Sequence, residues 1–158
     1  MLAQRNALLK QFQELRIFDQ ESIEVWDAQL VSLGTTIHEK RAEFLNDFIP
    51  VFQKYFDLIS NKSEVISITY ESQLLTGDFA EQIEKAKRKD SAVGYTTVGI
   101  HKDDLIFEIH GQPIKKFGSQ GQQKSFLIGL KLAQFELISN LLKMKPILLL
   151  DDIFDKLD

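Results

Sequence analysis

Two stretches carry the side chains most suited to chemistry, Phe117–Ser125, FGSQGQQKS, and Lys145–Asp158, KPILLLDDIFDKLD. In the first, Gly118, Ser119 and Gly121 form a loop of small side chains directly ahead of an apolar helical run. Amides at a helix N-terminus, with one hydroxyl beside them, attract phosphate through unpaired N–H groups and the helix dipole. In the second, an apolar strand over Ile147–Leu150 delivers Asp151 and Asp152 at its carboxyl end, where open α/β sheets place their ligands. There the first carboxylate suits Mg²⁺, usually through water, and the second suits orienting or deprotonating an attacking water. Each feature also has a plainer reading: Ser119 as an N-cap, and the Asp pair as a solvated acidic turn.

The elements that must position these residues are legible as changes of period. Residues 1–18 and 22–57 read as helices joined by Phe18–Ser22, with Ser22, Glu24 and Asp27 suiting the second helix start. In that helix Ile23, Trp26, Leu30, Leu33, Ile37, Phe44, Phe48 and Tyr55 recur near heptad spacing, interrupted only by Gly34 and Pro50. This predicts an antiparallel helical arm over 1–60, with two core helices of a bundle as the alternative. Val65–Tyr70 alternates as a strand. Gly77-Asp78 opens a helix with Phe79, Ile83 and Ala86 on one side, closing in Lys85, Lys87, Arg88 and Lys89. Those cations complement a helix C-terminus or, alternatively, contact nucleic acid. Gly94–Asp104 reads as strand and turn, Leu105–His110 as a strand, and Gln122 to about Leu142 as a helix apolar on most sides and therefore buried. After Lys145-Pro146 the final strand, all apolar, is expected to be interior and parallel.

Composition sets the outer limits. A chain of 158 residues with 44% hydrophobic and 27% charged residues has the makeup of a globular protein with a real core. The absence of cysteine excludes disulfides and thiolate metal sites. No apolar run is expected to reach the roughly 20 residues of a membrane helix, so a cytoplasmic location is anticipated. A net charge of −4 argues against an all-over basic nucleic-acid binder but leaves the patch at Lys85, Lys87, Arg88 and Lys89 open. Three scattered histidines make a metal at His101 and Asp103 an unfavoured reading.

The order of a Ser-Gln-Gly loop, a helix, a Pro break, an apolar strand, Asp-Asp and Asp155-Lys-Leu-Asp158 resembles the ABC-type ATPases. There a signature loop, a helix, a Walker B strand and a D-loop follow one another. Within that superfamily the chain is similar to the RecF family, through QRNALLK (Gln4–Lys10), GYTTVGIHKDDLIF (Gly94–Phe107), GSQGQQKSFLIGLKLAQFELI (Gly118–Ile138) and PILLLDDIFDKLD (Pro146–Asp158). The resemblance implies an α/β, ABC-ATPase-like head with a mixed sheet, residues 61–158 being its second half, plus the arm. It implies that Ser119 and Gly121 touch the γ-phosphate of ATP held by an opposite subunit, with Gln122 setting the loop. Asp151 would be the magnesium carboxylate, Asp152 the residue acting on water, and Asp155 to Asp158 the D-loop. Ser-Gln-Gly stands where many ABC proteins have Ser-Gly-Gly, Asp152 where many have glutamate, and Ile100 and Lys102 where this family typically has Pro and Arg. Implied partners are double-stranded DNA at gap junctions, a second copy bound through ATP, and the mediators RecR and RecO. The implied setting is DNA repair, replication, recombination and the SOS response.

No Gly-x-x-x-x-Gly-Lys-[Ser/Thr] phosphate loop occurs in the sequence. The resemblance therefore implies the middle of a longer protein, cut just past Walker B, that binds nucleotide weakly by itself, does not turn it over and tends to associate. The competing expectations are another SMC-like or Rad50-like repair ATPase, and a non-catalytic interaction module derived from one.

Overall fold

The computed structural model describes residues 1–149. The elements run α1 (Leu2–Leu15), α2 (Gln20–Ser60), β1 (Ile66–Glu71), α3 (Phe79–Val93), β2 (Asp104–Ile109), β3 (Gln112–Pro113), α4 (Ile114–Phe117) and α5 (Gln120–Leu142), with short 3₁₀ turns at Gln73–Thr76 and Ile100–Lys102. The chain divides into two compact units. One takes Met1–Ala42 with Tyr70–Asp104, the other Glu43–Thr69 with the chain from Leu105 on. This division cuts across the sequential halves 1–60 and 61–158, because α2, β1 and β2 each contribute residues to both units.

The two long helices form as the periodicity predicts, with their start and breaks assigned differently. The cap of α2 is Asp19, whose carboxylate accepts the Ser22 N–H at 3.2 Å and its hydroxyl. Those two bonds, the hydroxyl's first, hold the Asp19 carboxyl below the usual range. Asp27, expected as a helix-start anion, is instead buried in an ion pair. Gly34 and Pro50 do not interrupt the helix.

In the first unit Leu9, Phe12 and Ile23 form one apolar cluster, and Leu30, Phe79 and Ile83 another. Helix α3 starts as the sequence predicts, with Asp78 accepting the Glu81 N–H at 2.9 Å. It then continues past its cations to Val93, ending on Gly94 in the left-handed region. The glycine at Gly34 answers to Phe79: a Cβ there would stand 2.6 Å from that ring, which is 5% exposed, clusters with Leu30 and Ile83, and also lies 3.2 Å from where a Cβ on Gly99 would stand. We expect Gly34→Ala to destabilise the first unit by about 1–3 kcal/mol despite alanine's better helix propensity, because the ring has no room to retreat. A urea titration checks this; a neutral or stabilising result would mean that Phe79 repacks.

The segment Gly94–Gly99, expected as strand, is a loop. Side chains hold it in place of a ladder: the Asp90 carboxylate accepts the Thr97 N–H and hydroxyl at 2.9 and 2.6 Å, and the Asn6 carbonyl accepts those of Thr96 at 2.8 and 2.7 Å. With its backbone satisfied from helices α1 and α3, it needs no strand partner.

In the second unit Phe52, Phe56, Ile66, Ile68, Ile109, Ile114, Phe126 and Ala133 make the core. The sheet order is β1-β2-β3. Strands β2 and β3 are antiparallel, with Glu108 opposite Pro113. Val65 accepts the His110 N–H at 2.7 Å, and Ser67 donates to Glu108, so β1 also runs against β2. The turn expected at Gly111–Pro113 begins one residue earlier, with His110 and Gly111 both at positive φ as a tight hairpin requires.

Two expectations fail here. Helix α5 is not buried all round: only Phe126, Gly129 and Ala133 are fully covered, while Leu127 is 54% and Leu141 81% exposed. By length and composition it is also the one helix among the described residues that is apolar enough for a membrane span, contrary to the anticipated absence of such a run. Its inner face packs on protein instead, Gly129 allowing Phe52 to within 3.2 Å of where a Cβ would lie. Residues 147–149 form no strand, and Ile147 and Leu149 are almost fully exposed. A parallel strand needs ladder neighbours, and among the described residues none pairs with this segment.

Candidate functional site

The site is the turn that opens α5. Gly118 ends the single-turn helix α4, donating its N–H to the Ile114 carbonyl at 2.9 Å. Ser119 is then the N-cap of α5, and with Gln122 it builds a reciprocal capping box. The Gln122 N–H donates to Ser119 Oγ at 3.2 Å, and the Ser119 N–H donates to Gln122 Oε1 at 2.8 Å. The N-cap reading of Ser119 therefore holds. Its oxygen accepts from the helix, while its hydroxyl proton remains free to be donated outward.

A helix start has four amides without intrahelical acceptors, and the box accounts for those of Ser119 and Gln122. Those of Gln120 and Gly121 complete the first turn and suit an anion. Gly121 has neither a positive φ nor a packing reason to lack a side chain. A Cβ there would meet only Ser119 Oγ, at 3.9 Å. A glycine in the first turn of a helix costs up to about 1 kcal/mol against alanine, and the space it leaves open gives a group from outside access to the amides of this turn. Hydroxyl, amides and open glycine together fit a phosphate oxygen.

Beside this turn lies a groove of about 410 Å³ lined by Phe56, Ile59, Ser60, Ser63, Glu64, Ser119, Gly121, Gln122 and Ser125. Glu64, from the segment leading into β1, accepts Gln122 Nε2–H on Oε1 at 3.0 Å and the His110 ring on Oε2. The Gln122 bond first, and then His110, hold the Glu64 carboxyl below the usual range. Because the folded pKa is depressed, this contribution to stability is complete above the ordinary glutamate value of about 4.3 and is lost as pH falls through the lower folded value. An NMR titration of the Glu64 carboxyl should give a midpoint below that ordinary value.

The other expected site residues fall elsewhere. Asp151, Asp152, Asp155 and Asp158 lie outside the described residues. Lys85, Lys87, Arg88 and Lys89 lie in the body of α3 and not in its last turn. Lys85 bridges Glu81 at 2.9 Å, and Lys87 is buried among Glu84, Glu24 and Asp27, whereas Arg88 and Lys89 are exposed. His101 turns to the Thr96 carbonyl, while Asp103 accepts from Arg41 at 2.7 Å and from Tyr70. No cluster of metal-ligating side chains occurs among the described residues. Sequence reasoning missed Glu64 and His110, which stand 58 and 12 positions before Gln122. No motif links residues that only the hairpin turn and the end of α2 bring together.

Comparison with known proteins adds identity to this geometry. No protein-family model matches the chain. The DNA replication and repair protein RecF of Flavobacterium johnsoniae is 52% identical over 158 residues, covering 100% of this chain and 44% of the relative. That of Phocaeicola vulgatus is 47% identical, covering 99% and 42%. Among solved structures, the recombination mediator protein RecF with ATP, of the RecFOR pathway, superposes with a TM-score of 0.86 at 29% identity over 99% of this chain and 44% of that one. The chain thus spans less than half the length of the relatives it matches. Over the stretch that it spans, the chain belongs to the RecF family of DNA replication and repair proteins.

Proposed function

We propose that this chain supplies the signature-loop side of an ATP site in a RecF-type recombination mediator. Ser119 and Gly121 contact the γ-phosphate of an ATP held by the phosphate loop of an opposite subunit, so that ATP joins two copies head to head. The supporting observation is the first turn of α5, where a donor hydroxyl, two amides and an unfilled glycine converge while the sequence has no phosphate loop of its own. ATP would supply a triphosphate whose negative charge these donors suit. Ser119 donates to a phosphate oxygen, Gln122 keeps the serine in its capping geometry, and the α5 dipole favours the added negative charge. Asp151 would hold Mg²⁺, Asp152 would act on water, and Asp155 and Asp158 would cross to the partner.

Following the relatives, the assembled protein acts in the bacterial cytoplasm, at the nucleoid, in recombinational repair and replication restart. It clamps duplex DNA near single-strand gaps and works with RecR and RecO, with residues 1–60 as its arm. On α3 the exposed Arg88 and Lys89 are the better DNA candidates, since Lys85 and Lys87 already hold carboxylates. We expect Arg88→Glu with Lys89→Glu to weaken duplex binding about tenfold and flatten its salt dependence; unchanged binding in a salt titration would remove this face from the interface.

The functional test is MgATP binding and turnover by the purified chain, alone and mixed with the F. johnsoniae RecF, beside Ser119→Glu and Asp152→Asn variants. The chain alone should show no turnover. MgATP should promote association with the longer relative, and Ser119→Glu, which places a carboxylate where phosphate docks, should weaken it at least tenfold. Turnover by the chain alone that Asp152→Asn abolishes would overturn the split-site reading.

A further inference from the structure

The Gln122 side chain can sit in the capping box with either face of its amide towards Ser119, and only one face works. The Ser119 N–H needs an acceptor, which is Oε1, and the amide NH₂ must then point the other way. What lies that way is a carboxylate, the Glu64 oxygen 3.0 Å from Nε2. An ionised carboxylate only accepts hydrogen bonds, so it tolerates the amide nitrogen and rejects the amide oxygen. Glu64 is itself fixed on its other oxygen by His110. His110 in turn is placed by the hairpin turn and by its backbone bond to Val65, next in sequence to Glu64. A relay thus runs from the β2–β3 turn through His110, Glu64 and Gln122 to the backbone of Ser119.

We infer that Glu64, backed by His110, is the positioning residue that sets the Gln122 amide and so fixes the phosphate-facing geometry of Ser119. The inference rests on the signature-loop reading above and deepens it. In the same groove the Glu64 carboxylate keeps its negative charge, so a mobile side chain could swing towards an approaching phosphate and repel it at short range. Committing one oxygen to Gln122 and the other to His110 fixes the carboxylate on the far side of the Gln122 amide from Ser119.

The test uses the 158-residue chain and has two arms. In the first, the Gln122 side-chain NH₂ resonances are followed by NMR against pH in the native chain and in Glu64→Gln, with the melting temperature as the check on folding. The native resonances should titrate with the Glu64 carboxyl. In Glu64→Gln that titration should vanish and the Ser119 amide should exchange several-fold faster, while the melting temperature moves little. In the second arm, MgATP-dependent association with the F. johnsoniae RecF is compared for Glu64→Gln, Glu64→Asp and Ser119→Glu. Glu64→Gln should weaken association about tenfold. Glu64→Asp, which keeps an acceptor-only group on a shorter stem, should recover part of the loss.

Gln122 resonances blind to the Glu64 titration would overturn the relay, and should the chain carrying Glu64→Gln fail to fold, the native titration alone decides this arm. If Ser119→Glu abolishes association and Glu64→Gln leaves it intact, the positioning role falls while the signature-loop reading stands. If Ser119→Glu has no effect, the signature-loop reading falls and takes the inference with it.

Discussion

Arg5→Ala will destabilise the first unit by about 3–5 kcal/mol, the loss expected when one partner of a buried ion network is removed. Arg5 is fully buried, and its guanidinium reaches three elements at once: Nε to Asp27 of α2 at 2.7 Å, and Nη1 to Asp90 of α3 at 2.7 Å and to the Thr96 hydroxyl at 2.8 Å. Truncation leaves Asp90, with no exposed side-chain surface, and Asp27, with only 10%, as carboxylates out of water. Lys87, 3.7 Å from Asp27 Oδ2, relieves only part of this. Arg5→Lys should recover less than half the loss, since one ammonium cannot make both carboxylate contacts of the planar fork. The measurement is urea unfolding followed by circular dichroism, with Arg5→Ala/Asp27→Ala beside the single variants. The double variant should lose less than the sum, because the second substitution removes a charge the first had stranded. Additive losses would mean that Arg5 acts through packing alone.

A comparable loss, about 3–5 kcal/mol, is expected in the second unit for Phe126→Ala. Phe126 is 5% exposed, and its ring lies edge-on to Phe52, Phe107 and Phe56, with centroids 4.8, 5.5 and 6.0 Å away. Deleting it opens a cavity among three rings, two on α2 and one on β2, so little collapse can follow. Phe126→Leu, which refills most of the volume, should cost about 1–1.5 kcal/mol. The position stands one helical turn after Gln122, so Phe126→Ala should also loosen the capping turn; amide exchange at Ser119 and Gln122 will show it. Loss of global stability with unchanged exchange at the turn would mean that the α5 start is held by its box and Glu64 alone.

Local signals were readable where local physics decides. The helix start at Asp78, the Phe79–Ile83–Ala86 face, the alternation of β1 and the Ser119 cap follow from spacing and side-chain type, and all form. The order of a small-residue loop and then a helix over Gly118–Leu142 was equally legible, because those residues are contiguous in sequence. What escaped was set by partners far along the chain. Asp27 reads as a helix-start anion until Arg5 is placed beside it. Gly94–Gly99 reads as a strand until Asp90 and Asn6 claim its amides. Lys85 and Lys87 read as a closing cationic turn, yet nothing local shows that α3 runs on to Val93 and that Lys87 is spoken for by three carboxylates. Helix α5 is apolar on nearly every side, which predicts burial; only the placement of its neighbours shows that Leu127 and Leu141 stay outside.

The two units differ in one respect that makes them separately observable. The only tryptophan, Trp26, sits half-buried on α2 in the first unit, one residue before Asp27, whereas the second unit is built around phenylalanines. Excited at 295 nm, the protein emits from the first unit alone and is silent about the aromatic core around Phe52. Loss of ellipticity at 222 nm, by contrast, sums helices of both. Midpoints that coincide by the two signals would describe one cooperative transition; fluorescence that shifts before or after ellipticity would time the melting of one unit against the whole chain, without a label.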